Sequence, residues 1–167
     1  DIDQFVEKRI LEGGMIPAFK GYGGFPASAC VSVNEVIVHG IPSKSKKLRE
    51  GDFVRVDAGA IYQGWYSDMA RTYAVGEISP EAAKLVRVTE ESFFEGLKYC
   101  VAGNYLSDVS HAIQVHLESN GFGVIRDYVG HGLGREMHEQ PPVPNYGRPG
   151  RGPKLKKGMV LAIEPMV

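Results

Sequence analysis

Phe53-Val54-Arg55-Val56-Asp57-Ala58-Gly59-Ala60-Ile61-Tyr62 and Trp65-Tyr66-Ser67-Asp68-Met69-Ala70-Arg71-Thr72-Tyr73 are rich in β-branched and aromatic residues, and only Gln63-Gly64 separates them. A two-residue connection ending in glycine between such runs predicts an antiparallel hairpin. The turn also sets the register: Tyr62 opposes Trp65, Gly59 opposes Asp68, and Asp57 opposes Ala70. Because side-chain direction repeats every two residues, Asp57 and Asp68 are expected on one face as diagonal cross-strand neighbours, with Cα atoms about 7–8 Å apart. Two carboxylates at that separation do not both stay ionised comfortably without a positive partner. Aspartate is also a poor strand former, and a conflict between propensity and position is expected at functional sites. Either the pair converges on a cation, or the face is solvated and Arg55 and Arg71 neutralise it.

An internal repeat narrows that choice. His39-Gly40-Ile41-Pro42, Leu48-Arg49-Glu50-Gly51 and Asp57 match His138-Glu139-Gln140-Pro141, Leu155-Lys156-Lys157-Gly158 and Glu164, with the carboxylate six residues after the glycine in both. Each copy follows a helical pattern ending in glycine. Such self-similarity predicts two α+β halves facing one another, their carboxylate strands meeting near a pseudo-two-fold axis with a site between them. The repeat supplies a histidine and a carboxylate from each half, which favours metal or acid–base catalysis over a solvated face. Asp57 and Asp68 with His131 and Glu164 form an oxygen-rich donor set with one imidazole, suited to Mn²⁺, Fe²⁺, Co²⁺ or Zn²⁺, and so many carboxylates call for two cations. Two such ions activate water near neutral pH, which makes a hydrolase.

Composition excludes other classes. A net charge of −1, from 19 Lys+Arg against 20 Asp+Glu, gives no electrostatic reason to expect nucleic acid or an anionic membrane as partner. Cys30 and Cys100 are too few for a disulfide scaffold, and no signal segment or membrane-length apolar run is present, so a reducing cytoplasm is the expected location. The length suits one catalytic domain over residues 1–167, with halves of about 1–76 and 79–167. It begins without an initiator methionine and stops just after Pro165, so both ends read as cut.

Along the chain, Ile2, Phe5, Val6, Ile10 and Leu11 mark a helical face that stops at Gly13-Gly14. The glycine-rich stretch Phe19 to Pro26 is a turn capped by Tyr22 and Phe25, or else one wall of an apolar pocket. Cys30–Asn34 and Val36–His39 read as a strand pair broken near Asn34-Glu35. Ser79-Pro80 opens a helix expected to reach about Val101, and Ser107 is expected to cap another ending at Gly121. His111 and His116 fall on the surface and edge of that second helix. A short strand is expected over Val124–Val129, a loop over Pro141–Pro153, and a last strand over Met159–Ile163.

Four segments in order carry a specific resemblance: Asn34 to Pro42, the Asp57/Asp68 spacing, Gly130-His131-Gly132-Leu133-Gly134-Arg135 through His138-Glu139, and Ile163-Glu164-Pro165-Met166. Together they resemble the bacterial type I methionine aminopeptidases over nearly the whole chain. The resemblance implies the α/β pita-bread fold of two related halves. It also implies removal of the initiator methionine from nascent chains whose second residue is small, by a monomeric enzyme whose ribosome contacts stay open. Asp57, Asp68, His131 and Glu164 resemble the metal ligands, with Asp68 bridging two ions and Glu164 also shuttling a proton. His39 and His138 resemble the substrate-binding and catalytic histidines, and Tyr22, Phe25, Cys30 and Met137 the pocket for the methionine side chain. The family's fifth ligand, a glutamate from a later strand, lies beyond Val167, so weak binding of the second ion and low activity are expected of the 167 residues alone. An Xaa-Pro dipeptidase or aminopeptidase P shares the ligand pattern, and a non-catalytic peptide-binding module shares the fold. The compact Asn34–Pro42 segment favours the methionine enzyme over the former, and retention of every reachable ligand argues against the latter.

Overall fold

The computed structural model describes residues 1–167. The chain divides into two compact units, Asp1–Ala82 with Gly134–Met137, and Ala83–Leu133 with His138–Val167.

The first unit opens with α1 (Ile2–Glu12), stopped by Gly13-Gly14 as the pattern predicts, and continues through β1 (Ile16–Pro17) and β2 (Ala29–Val33). Asp3 of α1 ties the helix to β2, its carboxylate accepting from Ser28 N at 2.8 Å and Ala29 N at 3.0 Å. The hairpin is formed by β3 (Phe53–Tyr62) and β4 (Trp65–Ala74). Its register is the one read from the sequence, Tyr62 opposite Trp65, Gly59 opposite Asp68 and Asp57 opposite Ala70. Gln63 and Gly64 both take positive φ, 50° and 77°, the backbone a right-handedly twisted two-residue hairpin requires. On its other edge β3 pairs with β1 and β2, placing Cys30 directly across from Asp57.

Val36–His39 does not form the expected strand. Its place is taken by a loop, because the carbonyls of Asn34, Val36 and Ile37 accept hydrogen bonds from the Arg55 guanidinium instead of a strand partner.

At the end of the first unit Ser79 precedes α2 (Pro80–Leu97), which continues into the second, and its hydroxyl accepts from Ala82 N at 3.1 Å, the cap that Ser-Pro predicts. The helix ends before Val101, in a turn where Tyr99 N and Cys100 N donate to Gly96 O and Leu97 O. The next helix, α3 (Leu106–Ser119), starts one residue ahead of Ser107. Asp108 Oδ2 accepts from Tyr105 N at its first turn, while the Ser107 hydroxyl accepts from Arg151 N. Both helical histidines are structural, His111 Nδ1 lying 3.0 Å from Gly147 O and His116 Nε2 3.2 Å from Glu91.

The small sheet of this unit has β5 (Gly130–Gly132) between β6 (Glu139–Val143) and β7 (Leu161–Ala162). Val124–Val129 is not a strand; Ile125 N reaches Met166 O, but no ladder forms, and pairing begins only at Gly130. Pro141 and Pro142, expected in a loop, lie in β6, where an outer strand tolerates the missing N–H donors. The last strand is shorter than Met159–Ile163. The unit's core is Val88 of α2 with Leu106, Val109, Ile113 and Leu117 of α3, closed by Val143 and Leu155.

Glycine is obligatory in β5. A Cβ at Gly132 would lie 2.3 Å from Gln140 O, and one at Gly130 2.1 Å from Ala162 O, both backbone atoms that cannot step aside. Gly132→Ala is therefore expected to destabilise the fold by about 1–3 kcal/mol, read as a lowered urea midpoint. An unchanged midpoint would show that β5 tolerates the displacement.

Candidate metal centre

In the first unit Asp57 and Asp68 are half-buried and share one face of the sheet. Arg71 occupies the alternate position of β4, opposite Val56, so its side chain leaves from the other face. Arg55 directs its guanidinium at the carbonyls of the 34–37 loop. Arg55 is thus committed to the 34–37 loop, and Arg71 leaves β4 on the face opposite the two aspartates. Cys30, across the ladder from Asp57, is buried, and burial together with the negative charge of Asp57 and Asp68 pushes its thiol up to about 12. It stays a neutral, apolar side chain at any working pH.

Cys30 packs with Ala18, Phe19 and Met137, and Phe25, Ile61 and Tyr66 lean on that cluster. Three of the four residues expected around a methionine side chain, Phe25, Cys30 and Met137, are therefore brought together. Tyr22 stands outside the cluster, in the short turn Tyr22–Gly24, and is 47% exposed. His39 is exposed as well, on a backbone with φ of 57°.

In the second unit His131 sits on the central strand β5, and its Nδ1 lies 2.8 Å from Gly132 O. A proton on Nδ1 donated to that carbonyl leaves Nε2 with a lone pair, the usual way a protein presents a histidine ligand. Nε2 faces Glu164 Oε1 at 3.2 Å. That oxygen is buried and makes no hydrogen bond of good geometry. An imidazole lone pair and a carboxylate oxygen so close repel unless a positive charge lies between them, so the couple fits a cation. The His138 ring lies 4.2 Å from that of His131, tilted by 50°.

Two supporting residues make contacts that the sequence did not signal. Asn145, fully buried within the Pro/Gly-rich stretch, donates from Nδ2 to the backbone carbonyl of Glu164 at 2.6 Å and so holds the strand end that carries the carboxylate. Arg135 lies 4.0 Å over the Trp65 ring and donates to Gln63 O at 3.2 Å, pinning the hairpin tip. Its place directly after Gly130–Gly134 was visible, but its partner was not.

A fold of this kind carrying carboxylate and histidine donors at these positions defines a metallopeptidase, and the chain belongs to metallopeptidase family M24, whose model matches residues 1–167. Within it the chain groups with the methionine aminopeptidases. It is 64% identical, over its whole length and 67% of the relative's, to the methionine aminopeptidase of Clostridium acetobutylicum. The crystal structure of methionine aminopeptidase from Thermotoga maritima superposes with a TM-score of 0.97 at 55% identity, covering 99% of this chain and 66% of that one. A prolidase from Pyrococcus horikoshii gives a TM-score of 0.72 at 27% identity, covering 86% of this chain and 42% of its own. The fold is the pita-bread fold of the family. The chain spans about two thirds of the length of the relatives it matches.

Proposed function

We propose that this chain carries the metal-dependent chemistry of an aminopeptidase that removes N-terminal methionine from peptides and nascent proteins whose second residue is small. The observation that carries the proposal is the β3–β4 register, which sets Asp57 and Asp68 as diagonal neighbours on one face of the hairpin. Identity of 64% to a methionine aminopeptidase against 27% to a prolidase favours methionine over proline specificity.

Asp57, Asp68, His131 and Glu164 are the residues that would hold two divalent ions such as Mn²⁺, Fe²⁺, Co²⁺ or Zn²⁺, with Asp68 shared between them. Such ions lower the pKa of water they bind and polarise a carbonyl. Glu164 takes a proton from the attacking water and delivers it to the departing amine, so that a C–O bond forms, the C–N bond breaks, and the proton ends on the new N-terminus. His39 and His138 hydrogen-bond the scissile amide and stabilise charge on its oxygen. Phe25, Cys30 and Met137, with Tyr22 at the rim, receive the thioether, for which aromatic contacts are favourable. The protein acts as a single domain and a monomer in the cytoplasm; no helix is long and apolar enough to cross a membrane.

Turnover of Met-Ala, Met-Leu and Ala-Pro peptides by the metal-loaded enzyme, extended to the full length of its relatives, tests the assignment. Met-Ala is expected to be cleaved in clear preference to the other two. Preference for Ala-Pro would transfer the chain to the proline-directed branch of the family, and no cleavage of any peptide would support a binding module.

A further inference from the structure

The loop that carries His39 is held at both ends, and one of the two anchors has no counterpart in the chemistry described above. His39 has φ of 57°, a left-handed conformation that a non-glycine residue keeps only where its surroundings over-determine it. On its C-terminal side Gly40 is laid against β2: Gly40 N donates to the Ser32 hydroxyl at 3.0 Å, and Gly40 O accepts from Val31 N at 2.8 Å. A Cβ at Gly40 would lie 2.3 Å from Val31 O, so only glycine permits this approach. On the N-terminal side the strand pairing expected for Val36–His39 is absent, and Arg55 replaces it. Its Nε donates to Ile37 O at 2.9 Å and its Nη2 to Asn34 O at 2.8 Å and to Val36 O. The guanidinium is half-buried and stacks 5.6 Å from the Phe53 ring centre. Asn34, itself at φ 52°, is braced in turn by donating to Asp52 at 2.8 Å and accepting from Phe53 N at 3.0 Å.

We propose that Arg55 is the positioning residue of His39: by gathering the carbonyls of Asn34, Val36 and Ile37 onto β3 it sets the angle at which His39 meets the substrate amide. The inference rests on the role given to His39 under the proposed function. The guanidinium presents its donors at fixed angles from one rigid plane, a geometry that a lysine ammonium on a flexible stem does not hold. Arg55 thus acts on turnover through the 34–37 loop that leads to His39.

The test is a double-mutant cycle in the metal-loaded enzyme, comparing R55K, R55Q, H39A and the two double variants on Met-Ala peptides. Each arginine variant is expected to lower kcat/KM by about ten- to a hundredfold, the scale of a misplaced catalytic group, with metal content unchanged. In the H39A background the same changes are expected to cost nothing further, because the group they misplace is gone. Costs that simply add would overturn the proposal and leave Arg55 a general structural residue. The ¹H–¹⁵N signals of the His39 ring, which are expected to move in R55K, give a second readout that needs no turnover; an unmoved signal overturns the proposal. An H39A enzyme as active as the parent would instead sink the role assigned to His39, so the two failures are distinguishable.

Discussion

Asp68→Ala is expected to abolish metal-dependent hydrolysis of Met-Ala peptides while leaving the fold in place. The proposed role gives Asp68 to both ions, so its removal withdraws an anionic contact from each at once. The loss of affinity should exceed the roughly 10–100-fold that follows from deleting a group merely hydrogen-bonded to a metal ligand. Stability should not suffer, since Asp68 is half-buried on a strand whose other positions are mostly exposed, and aspartate is a poor strand former. The measurement is metal content per chain alongside turnover and the thermal midpoint, with Ser67→Ala, exposed on the same strand, as the control. Full turnover with two bound ions in the Asp68→Ala enzyme would remove Asp68 from the centre.

Ile113→Ala should have the largest effect on stability. Ile113 is fully buried at the middle of α3, and it packs so closely on α2 that a Cβ added at Gly96 would meet its Cγ1 at 2.7 Å. Truncation removes its apolar burial and opens a cavity lined by Val88, Val109 and their neighbours, whose backbones are fixed by two helices and cannot collapse inward. A loss of about 2–5 kcal/mol is expected, a large share of the roughly 5–15 kcal/mol that holds a domain folded. Urea unfolding checks it, against Val115→Ala on the exposed side of the same helix, which should stay within about 0.5 kcal/mol of the parent. Equal midpoints for the two variants would show that the α2–α3 contact is not a determinant of stability.

The hairpin was legible from its own residues because everything that determines it is local. Two β-rich runs, a two-residue turn that accepts positive φ, and a period of two are enough to oppose Asp57 to Ala70 and Gly59 to Asp68. The start of α2 was equally local, since Ser79 caps a backbone donor three residues away. The candidate donors could be named from sequence too, because carboxylate and imidazole chemistry belongs to the residue and not to its neighbours.

What the tertiary structure alone decided is which distant group each backbone segment bonds to. Val36–His39 has the composition of a strand, yet it is a loop because an arginine from β3 reaches its carbonyls first. Pro141 and Pro142 look like loop residues, yet they lie in a strand because an outer position of the small sheet asks little of their nitrogens. Asn145 reads as one polar residue among prolines and glycines until the fold brings it 2.6 Å from the carbonyl of Glu164. In each case the deciding hydrogen bond joins residues 18 or 19 apart, as Arg55–Ile37 and Asn145–Glu164 are, or depends on which strand lies alongside. Local propensity is silent on such partners, because buried donors and acceptors must be satisfied by whatever the packed fold places beside them.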